Sequence, residues 1–414
     1  MATTPDALPD GSVLLHIGPH KTGTTAVQGL LASARADMRE HGVTYPGRRG
    51  AHHDEARALR EHAAGWAHDS APLPSDKVWQ RFVRAVHRTP GRVVASSEFF
   101  AQCNADQRAR VVEDLGAERL HLLVAARNPG SIALSTWQQV LRDGKAGHLD
   151  QWLQERYRRE EPGPATEGFW SWADSATLLD NWSQVIAPDR IRVVVIDETD
   201  RALLPTTFEG LLGLPAGLLS ERTPPLSNRS LTSPEAELLR RAIALTKPQL
   251  TWDEFSLFYR KGYARHLLDV RAPARDEARP VLPRWAAEQA AAEAEWCISR
   301  LQASGVPVIG DLENIRRVPA AADSVPLEEI STDLAAEALA GVVLAAQARI
   351  RRAEEKVAAL SSATEAPATA TQPTQEPPAT GLDQVAGRDL AAALGSRVRS
   401  RLGKGVRRGG SHRG

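Results

Sequence analysis

The chain has 414 residues, 42% of them apolar, and its 51 basic side chains are balanced by 51 acidic ones. This balance argues against binding nucleic acid through the overall charge, so we expect no specific nucleic-acid partner. Only two cysteines occur, far apart, and no run of about 18 apolar residues is present, which argues against a disulfide framework, a zinc site and a transmembrane helix. We therefore expect a soluble, cytoplasmic protein.

The N-terminal residues 1–11 are polar and are predicted to be disordered, without the apolar run of a signal peptide. Residues 13–18 (VLLHIG) predict a short buried strand. A helix is expected to open near Thr24 and to end at Gly42, because apolar residues recur between them at helical spacing.

The segment Gly18–Thr25 (GPHKTGTT) joins this strand to this helix. At such a junction, main-chain N–H groups and the helix dipole bind phosphate. Gly18 and Gly23 have the spacing of an ordinary nucleoside-triphosphate loop, but in that loop a lysine follows the second glycine. Here Thr24 has that position and Lys21 lies inside the loop, which favours a single 5′-phosphate over a triphosphate with magnesium. We predict no metal site.

Three further apolar runs predict buried parallel strands, at residues 92–97 (RVVASS), 121–126 (HLLVAA) and 191–196 (IRVVVI). Their alternation with helical or loop stretches predicts an α/β fold over residues 12–320. We expect a P-loop-type doubly wound parallel sheet flanked by helices, with its sites at the carboxyl ends of the strands. Residues 205–320 are predicted to be a mostly helical cap.

The C-terminal part predicts a helical elaboration followed by a flexible end. A long helix is expected at residues 327–360, with a small apolar face that suits packing on a partner or on the core better than a free coiled coil. Residues 361–380 predict a flexible linker, rich in Ala, Thr and Pro. The tail, 381–414, carries seven Arg or Lys from Arg397 onward and no acid there. It suits a polyanion or an anionic membrane surface, and the membrane would place the protein at the inner membrane face; the alternative is a solvated end.

The string HIGPHKTGTT resembles the 5′-phosphosulfate loop of the sulfotransferase superfamily, in particular of bacterial members with an HKTGTT-type loop. The resemblance implies the donor 3′-phosphoadenosine-5′-phosphosulfate (PAPS). Lys21 would be catalytic, because a cation there steadies charge on the departing bridge oxygen. The alternative is a turn that binds nothing. The loop residues implied to bind the donor are His20, Lys21, Thr22, Gly23, Thr24 and Thr25.

A second motif fits the same family. Arg127 follows the strand 121–126, and Ser135 lies eight residues later on a predicted helix. In sulfotransferases an arginine and a serine at these places hold the 3′-phosphate, a task that suits the forked contacts of a guanidinium. The family's usual Asp after the arginine and second Arg before the serine are here Asn128 and Ile132. Alternatively, Arg127 only pairs with an acidic residue at the sheet edge.

Candidate bases for an acceptor hydroxyl lie at two places. Glu98 follows the strand 92–97, and adjacent aromatic rings are expected to raise its pKa toward the working range. The resemblance implies the same residue, because sulfotransferases that act on polysaccharides often use a glutamate from this strand. The competitors are His52 and His53, which are either acceptor-site residues or a solvated pair. His16, inside the first strand, is predicted to be a core histidine.

Two further features are assigned by the resemblance or by composition. Sulfotransferases close over the nucleotide with a late basic segment, for which Arg229 is the candidate. A group of tryptophans is either core or an acceptor groove: Trp137, Trp152, Trp170 and Trp172.

The leading hypothesis is therefore a PAPS-dependent sulfotransferase that modifies a hydroxyl acceptor, expected to be a carbohydrate or glycolipid. Its partners would be the nucleotide donor and a glycan. Two alternatives stay open: a P-loop phosphotransferase that uses ATP and magnesium, and a non-catalytic glycan-binding protein with this fold.

Overall fold

A computed structural model describes residues 5–20, 22–66, 69–158, 162–165, 167–223, 229–322 and 329–365, with side chains up to residue 359. Lys21, the linker after residue 365 and the basic tail lie outside the described residues. The chain divides into a compact unit, residues 1–354, and a second unit, residues 355–414. No helix within the described ranges is long and apolar enough to cross a membrane.

The strands are short and mostly parallel. They are β1 (Val13–Ile17), β2 (Val43–Thr44), β3 (Gly65–Trp66), β4 (Asp69–Ser70), β5 (Arg92–Ser96), β6 (Leu120–Ala126), β7 (Ile191–Val195), β8 (Leu282–Pro283), β9 (Val308–Ile309) and β10 (Ala321–Ala322). Within the described residues, six of them form one sheet in the order β2-β5-β1-β6-β7-β9, and every neighbouring pair is parallel.

Helices fill most of the connections. They are α1 (Thr24–Ser33), α2 (Arg35–Glu40), α3 (His53–Arg60), α4 (Asp76–His87), α5 (Ala105–Leu115), α6 (Pro129–Arg142), α7 (Leu149–Arg156), α8 (Trp170–Ala173), α9 (Ser175–Trp182), α10 (Leu203–Leu212), α11 (Ser233–Thr246), α12 (Trp252–Phe255), α13 (Arg265–Asp269), α14 (Arg284–Ala303), α15 (Glu313–Arg316) and α16 (Thr332–Glu365). Residues Ser256–Ala264 form a π-helix, and three 3₁₀ turns span Glu98–Gln102, Pro188–Arg190 and Lys247–Gln249.

Both faces of the sheet are buried. Because successive side chains of a strand point to opposite faces, each strand contributes to the core on both sides. In β1, Val13, Leu15 and Ile17 join a core cluster formed with α3, α4, α5, α9 and α14. Leu14 joins a second cluster on the other face, formed with α1, α2 and α10. A third cluster packs α6 and α7 against α11, the π-helix and the beginning of α16.

The predicted fold class is confirmed: the chain forms an α/β unit with a parallel sheet flanked by helices. The structure differs from the prediction in the bounds of individual elements. The expected helix from Thr24 to Gly42 divides at Ala34 into α1 and α2. Part of the predicted cap belongs to the sheet layer, because α14 packs into the central core and β9 extends the sheet. The long helix runs from Thr332 to Glu365, into the segment predicted as linker.

Candidate functional site

The loop after β1 lies at the centre of the sheet's carboxyl edge. β1 lies between β5 and β6 in the sheet. The chain first adds β2 and β5 on one side of β1 and then β6 and β7 on the other, and doubly wound folds bind ligands at such a point. Gly18 is required there, because a Cβ would lie 2.8 Å from the Cβ of Ala125 on β6. Gly23 precedes α1 with φ of +79°, a conformation that glycine adopts without strain.

The loop's threonines have different environments. Thr22 is fully buried, and its hydroxyl donates to the carbonyl of Pro19 at 2.9 Å, so its side chain shapes the loop. Thr24 and Thr25 begin α1, where the first N–H groups of a helix have no partner inside the helix. Both threonines line a cavity beside the loop.

This cavity has a volume of about 730 Å³ and adjoins the carboxyl ends of β6 and β7. It brings together most of the residues that the sequence predicted to bind a nucleotide: Gly23, Thr24, Thr25, Arg127, Ser135 and Arg229. Sequence reasoning missed Gln138 and Arg142, which also line it. They follow Ser135 at spacings of three and seven residues on α6, so the helical period was the signal that could have found them. Burial lowers the pKa of Arg142.

Arg127 pairs with an acidic residue at the edge of the sheet, as the alternative from the sequence allowed. Its Nε and Nη2 donate to Oε1 of Glu198 at 3.0 and 2.6 Å. The side chain of Glu198 is 62% exposed, so this carboxylate is accessible to water and to competing anions. The pair does not exclude phosphate binding, but a phosphate on Arg127 competes with Glu198.

The helix that carries Ser135 begins with Asn128. Its Oδ1 accepts from the N–H groups of Gly130 and Ser131 at 2.8 and 3.1 Å, and it is buried. Asn128 thus caps α6. The hydroxyl of Ser135 donates to the carbonyl of Ser131 at 2.7 Å and must rotate to donate to a ligand.

Arg229 lines the cavity but is held by a buried carboxylate. Its Nη1 and Nη2 each donate to Glu235 at 2.8 Å, and Glu235 also accepts from Arg271 at 2.8 Å. Burial alone would raise the pKa of Glu235, but these arginines and the Thr232 N–H hold the pKa below its ordinary value. Arg229 therefore joins the first turn of α11 to the cavity wall.

Glu98 lies on the opposite side of the loop from Arg127, at the end of β5. Its Oε1 is 3.8 Å from Nδ1 of His20 and 3.8 Å from Nε2 of His53, and its Oε2 accepts from Gln28 at 3.2 Å. Burial would raise the pKa of Glu98, but the two histidines, a main-chain N–H and Gln28 outweigh burial and lower the pKa. The expected rise in this pKa is wrong, because sequence reasoning saw the neighbouring rings and not the long-range donors.

His20, in the loop, and Gln102 form a further contact in this cluster. Gln102 Nε2 lies 2.9 Å from Nε2 of His20. An amide nitrogen is a donor, so Nε2 of His20 accepts and the proton of the neutral ring is on Nδ1, which faces Glu98. The ring of His20 also makes edge contacts with Phe99 and Trp172.

His52 is buried, and both nitrogens of its ring are hydrogen-bonded to the main chain. Its Nε2 donates to the carbonyl of Pro46 at 3.1 Å, and its Nδ1 accepts from the Ser96 N–H at 3.2 Å. Burial lowers its pKa to about 4. The geometry therefore argues against the predicted catalytic role of His52, whereas His53, its neighbour, faces Glu98. His16 is fully buried as expected, with Nδ1 2.9 Å from Ser96 Oγ.

The tryptophans belong mainly to the third core cluster, but some also line a second cavity of about 560 Å³. Trp137 is buried and donates to the carbonyl of Gly147 at 3.1 Å. Trp152, Trp170 and Trp172 line the second cavity together with Lys145 and other residues. Trp172 connects this cavity with the phosphate loop through its contact with His20, whose ring centroid lies 5.1 Å away.

Comparisons with known proteins add little. No protein-family model matches the chain, and no curated protein matches it. Among solved structures, a sulfotransferase from Alicyclobacillus acidocaldarius aligns with 17% identity and a TM-score of 0.36, over 57% of this chain and 91% of that one. So weak an alignment supports no statement about activity, which must be argued from the site.

Proposed function

We propose that this protein is a sulfotransferase that moves a sulfuryl group from PAPS to a hydroxyl of a carbohydrate acceptor. The observation that carries the proposal is the cavity that joins the first turn of α1 with Arg127 and Ser135. A nucleotide with phosphates at both its 5′ and 3′ ends needs two anion sites separated by a nucleoside. The loop and α1 supply one of them, and Arg127 with Ser135 supplies the other.

The donor set suits such a ligand. The helix N-terminus and the guanidinium groups of Arg127, Arg142 and Arg229 favour anions, and the volume of about 730 Å³ lies within the range of small-molecule sites. When bound, PAPS supplies the sulfuryl group and a leaving oxygen. Lys21 is proposed to stabilise the negative charge on that oxygen, and this assignment rests only on its position in the sequence of the loop. His20, on one side of it, contacts Gln102 and Glu98 and so keeps the loop beside the end of β5, and Thr22, on the other side, shapes the loop through its bond to Pro19.

Glu98 is the proposed base. Its carboxylate is ionised at neutral pH, since its pKa is lowered, and it is held in one position by Gln28. In the proposed step, the acceptor oxygen forms a bond to sulfur, the bond from sulfur to the bridge oxygen breaks, and the acceptor's proton passes to Glu98. His53 is the alternative base, because its Nε2 faces the same space and its side chain is 35% exposed.

A carbohydrate acceptor is favoured by the second cavity. Indole rings stack on sugar faces, and Trp152, Trp170 and Trp172 line this cavity beside the loop. The contact between Trp172 and His20 places its wall next to the Glu98 cluster. The proposed path of the acceptor therefore runs along these rings to the carboxylate.

The first test is calorimetric titration with 3′,5′-bisphosphoadenosine, and separately with ATP and magnesium. Binding of the bisphosphate supports the proposal, and its absence would refute it. Binding of ATP only in the presence of magnesium would favour a phosphotransferase. A phosphotransferase would need an acidic residue that holds magnesium. Asp197 lines the cavity and is the candidate, although its Oδ1 already accepts from the N–H of Thr199 at 2.7 Å.

The second test measures transfer of radiolabelled sulfate from PAPS to glycans and glycolipids of the host. Lys21→Ala should lower the transfer rate at least about 100-fold. Glu98→Gln should lower it by about 100-fold or more while leaving the affinity for bisphosphoadenosine unchanged. Matched controls are Lys77→Ala and Glu40→Gln, which replace exposed residues of α4 and α2. If the protein binds the bisphosphate but transfers sulfate to no glycan, the result would favour the non-catalytic, glycan-binding alternative.

A further inference from the structure

Helix α16 presents a second apolar flank that the fold does not cover. One flank packs on the cap: Leu334 and Ala338 are buried, and Gly341 lies so close to the π-helix that a Cβ on it would be 2.9 Å from the carbonyl oxygen of Gly262. On the neighbouring flank, Leu339 and Val343 are 64% and 56% exposed. The exposed flank is therefore not needed to hold α16 on the cap.

The exposed flank follows a heptad repeat over two heptads. In this register the a positions are Val343 and Ile350, and the d positions are Leu339, Ala346 and Ala353. Ile350 is 58% exposed. Alternating spacings of four and three residues keep one stripe on the same side of a supercoiled helix, which is the pattern of a coiled-coil contact. We call these five residues the heptad stripe.

We propose that the heptad stripe pairs with the same stripe of a second copy of this chain, forming a parallel two-stranded coiled coil. β-Branched residues at every a position favour two parallel strands. The alanines at two d positions let the helices approach closely. This departs from the expectation that the long helix suits packing on a partner or on the core better than a coiled coil. One flank of α16 does pack on the core, and the exposed flank is the one that carries the heptad pattern.

Charges beside the heptad stripe select the parallel arrangement. Arg349 is at a g position and Glu354 at the following e position. In a parallel pair, Arg349 of one copy faces Glu354 of the other, and the symmetry makes this contact twice. In an antiparallel pair centred on the stripe, g positions face each other, so Arg349 meets Arg349 of the other copy. Like charges there disfavour that arrangement.

Sedimentation equilibrium of the full chain tests the proposal. The unmodified protein should be a dimer whose dissociation constant rises at least about 100-fold in Val343→Asp/Ile350→Asp, because two carboxylates at neighbouring a positions would be buried without partners. Leu344→Asp is the matched control: it makes the same kind of change on the same helix, at an exposed b position outside the stripe. It should leave the dissociation constant unchanged.

Two further variants test the orientation. Arg349→Glu and Glu354→Arg should each weaken the dimer, and the double variant should restore it, because the pair is reversed. Ile350→Cys should form an intermolecular disulfide on oxidation, whereas Leu344→Cys should not; the native Cys103 and Cys297 are buried. Circular dichroism checks that each variant is folded.

Three outcomes would overturn the proposal. The first is that the full-length protein stays monomeric at all concentrations. This outcome includes the case in which the monomer binds anionic vesicles through the heptad stripe. Another is a dimer that Val343→Asp/Ile350→Asp leaves intact, or that Leu344→Asp disrupts equally. The third is failure of the double charge reversal to restore a dimer that the single reversals weaken.

Discussion

Arg127 is the residue on which the proposed 3′-phosphate site depends, and it is held in place by Glu198. Such a pair aligns the guanidinium at the cavity edge before a ligand arrives. It also sets a cost, because the arginine must exchange one anion for another when a phosphate binds. The exposed position of Glu198 keeps that cost small, since exposed ion pairs contribute about 1 kcal/mol or less.

Replacing Glu198 by Gln should therefore strengthen nucleotide binding. Loss of the competing carboxylate frees the guanidinium for phosphate, and we expect the Kd of 3′,5′-bisphosphoadenosine to fall by up to about fivefold in calorimetric titrations. The affinity for adenosine 5′-phosphosulfate, which lacks the 3′-phosphate, should change less. A weaker affinity for the bisphosphate in Glu198→Gln would mean that the carboxylate supports the site and does not compete with the ligand.

Glu98 makes a prediction about the pH dependence of transfer. A base must be deprotonated, and the pKa of Glu98 is lowered by His53, His20, a main-chain N–H and Gln28 against the effect of burial. The acid limb of the kcat/KM profile should therefore lie below the ordinary glutamate value of about 4.3. If His53 is the base instead, Glu98→Gln should leave the acid limb where it is in the unmodified protein. A steady-state profile of PAPS-dependent transfer from neutral to acidic pH distinguishes the two.

At the scale of elements, the β1–α1 connection depends on how closely the loop approaches β6. A Cβ on Gly18 would lie 2.8 Å from the Cβ of Ala125 and 3.2 Å from its carbonyl oxygen, so the loop or β6 would have to move. Gly18→Ala should cost about 1–3 kcal/mol in the free energy of unfolding and weaken bisphosphoadenosine binding. Chemical denaturation and calorimetry measure the two effects.

Gly50→Ala is the matched control for this substitution, because a Cβ there has open space around it and the residue lacks a positive φ. Its stability and nucleotide affinity should remain those of the unmodified protein. Equal effects of the two substitutions would show that the close approach of Gly18 to β6 is not what the loop requires.

The elements were predictable where local sequence decides them. Apolar runs buried on both faces gave β1, β5, β6 and β7 to within about a residue at each end, because a strand of a covered parallel sheet is apolar throughout. The two-residue strands β2 and β9 carry no such signal. Whether these residues pair with the sheet depends on where the flanking helices end and bring the chain beside it.

The site was predictable only in part, for a related reason. Residues that directly follow strands, such as Arg127 and Glu98, are placed by the topology. Their partners come from distant segments: Glu198 lies 71 residues after Arg127, and Gln28 lies 70 residues before Glu98. The pKa of Glu98 depends on such partners, and the expected rise of that pKa was wrong for this reason. The burial of His52 could not be deduced from its local sequence either; its catalytic role stays a prediction, against which this burial argues.

For the whole molecule, burial of neutral histidines makes stability depend on pH. His16 and His52 are fully enclosed in the sheet region, and burial lowers the pKa of each from 6.5 to about 4. Above pH 6.5 both are neutral in the folded and unfolded states and contribute no pH dependence. Below pH 6.5 the unfolded chain binds protons that the folded chain does not, so stability falls as the pH falls toward 4.

The free energy of unfolding should therefore decrease by about 2 kcal/mol for each of these two histidines between pH 7 and pH 5. In His52→Gln the decrease should be smaller by about that amount, since one of the two groups no longer titrates. Chemical denaturation at both pH values measures the difference, with the exposed His41→Gln as control. The ring nitrogens of His52 are hydrogen-bonded to main-chain groups of Pro46 and Ser96, so the folded variant should retain sulfate transfer. Loss of transfer at full nucleotide binding would support His52 as the base.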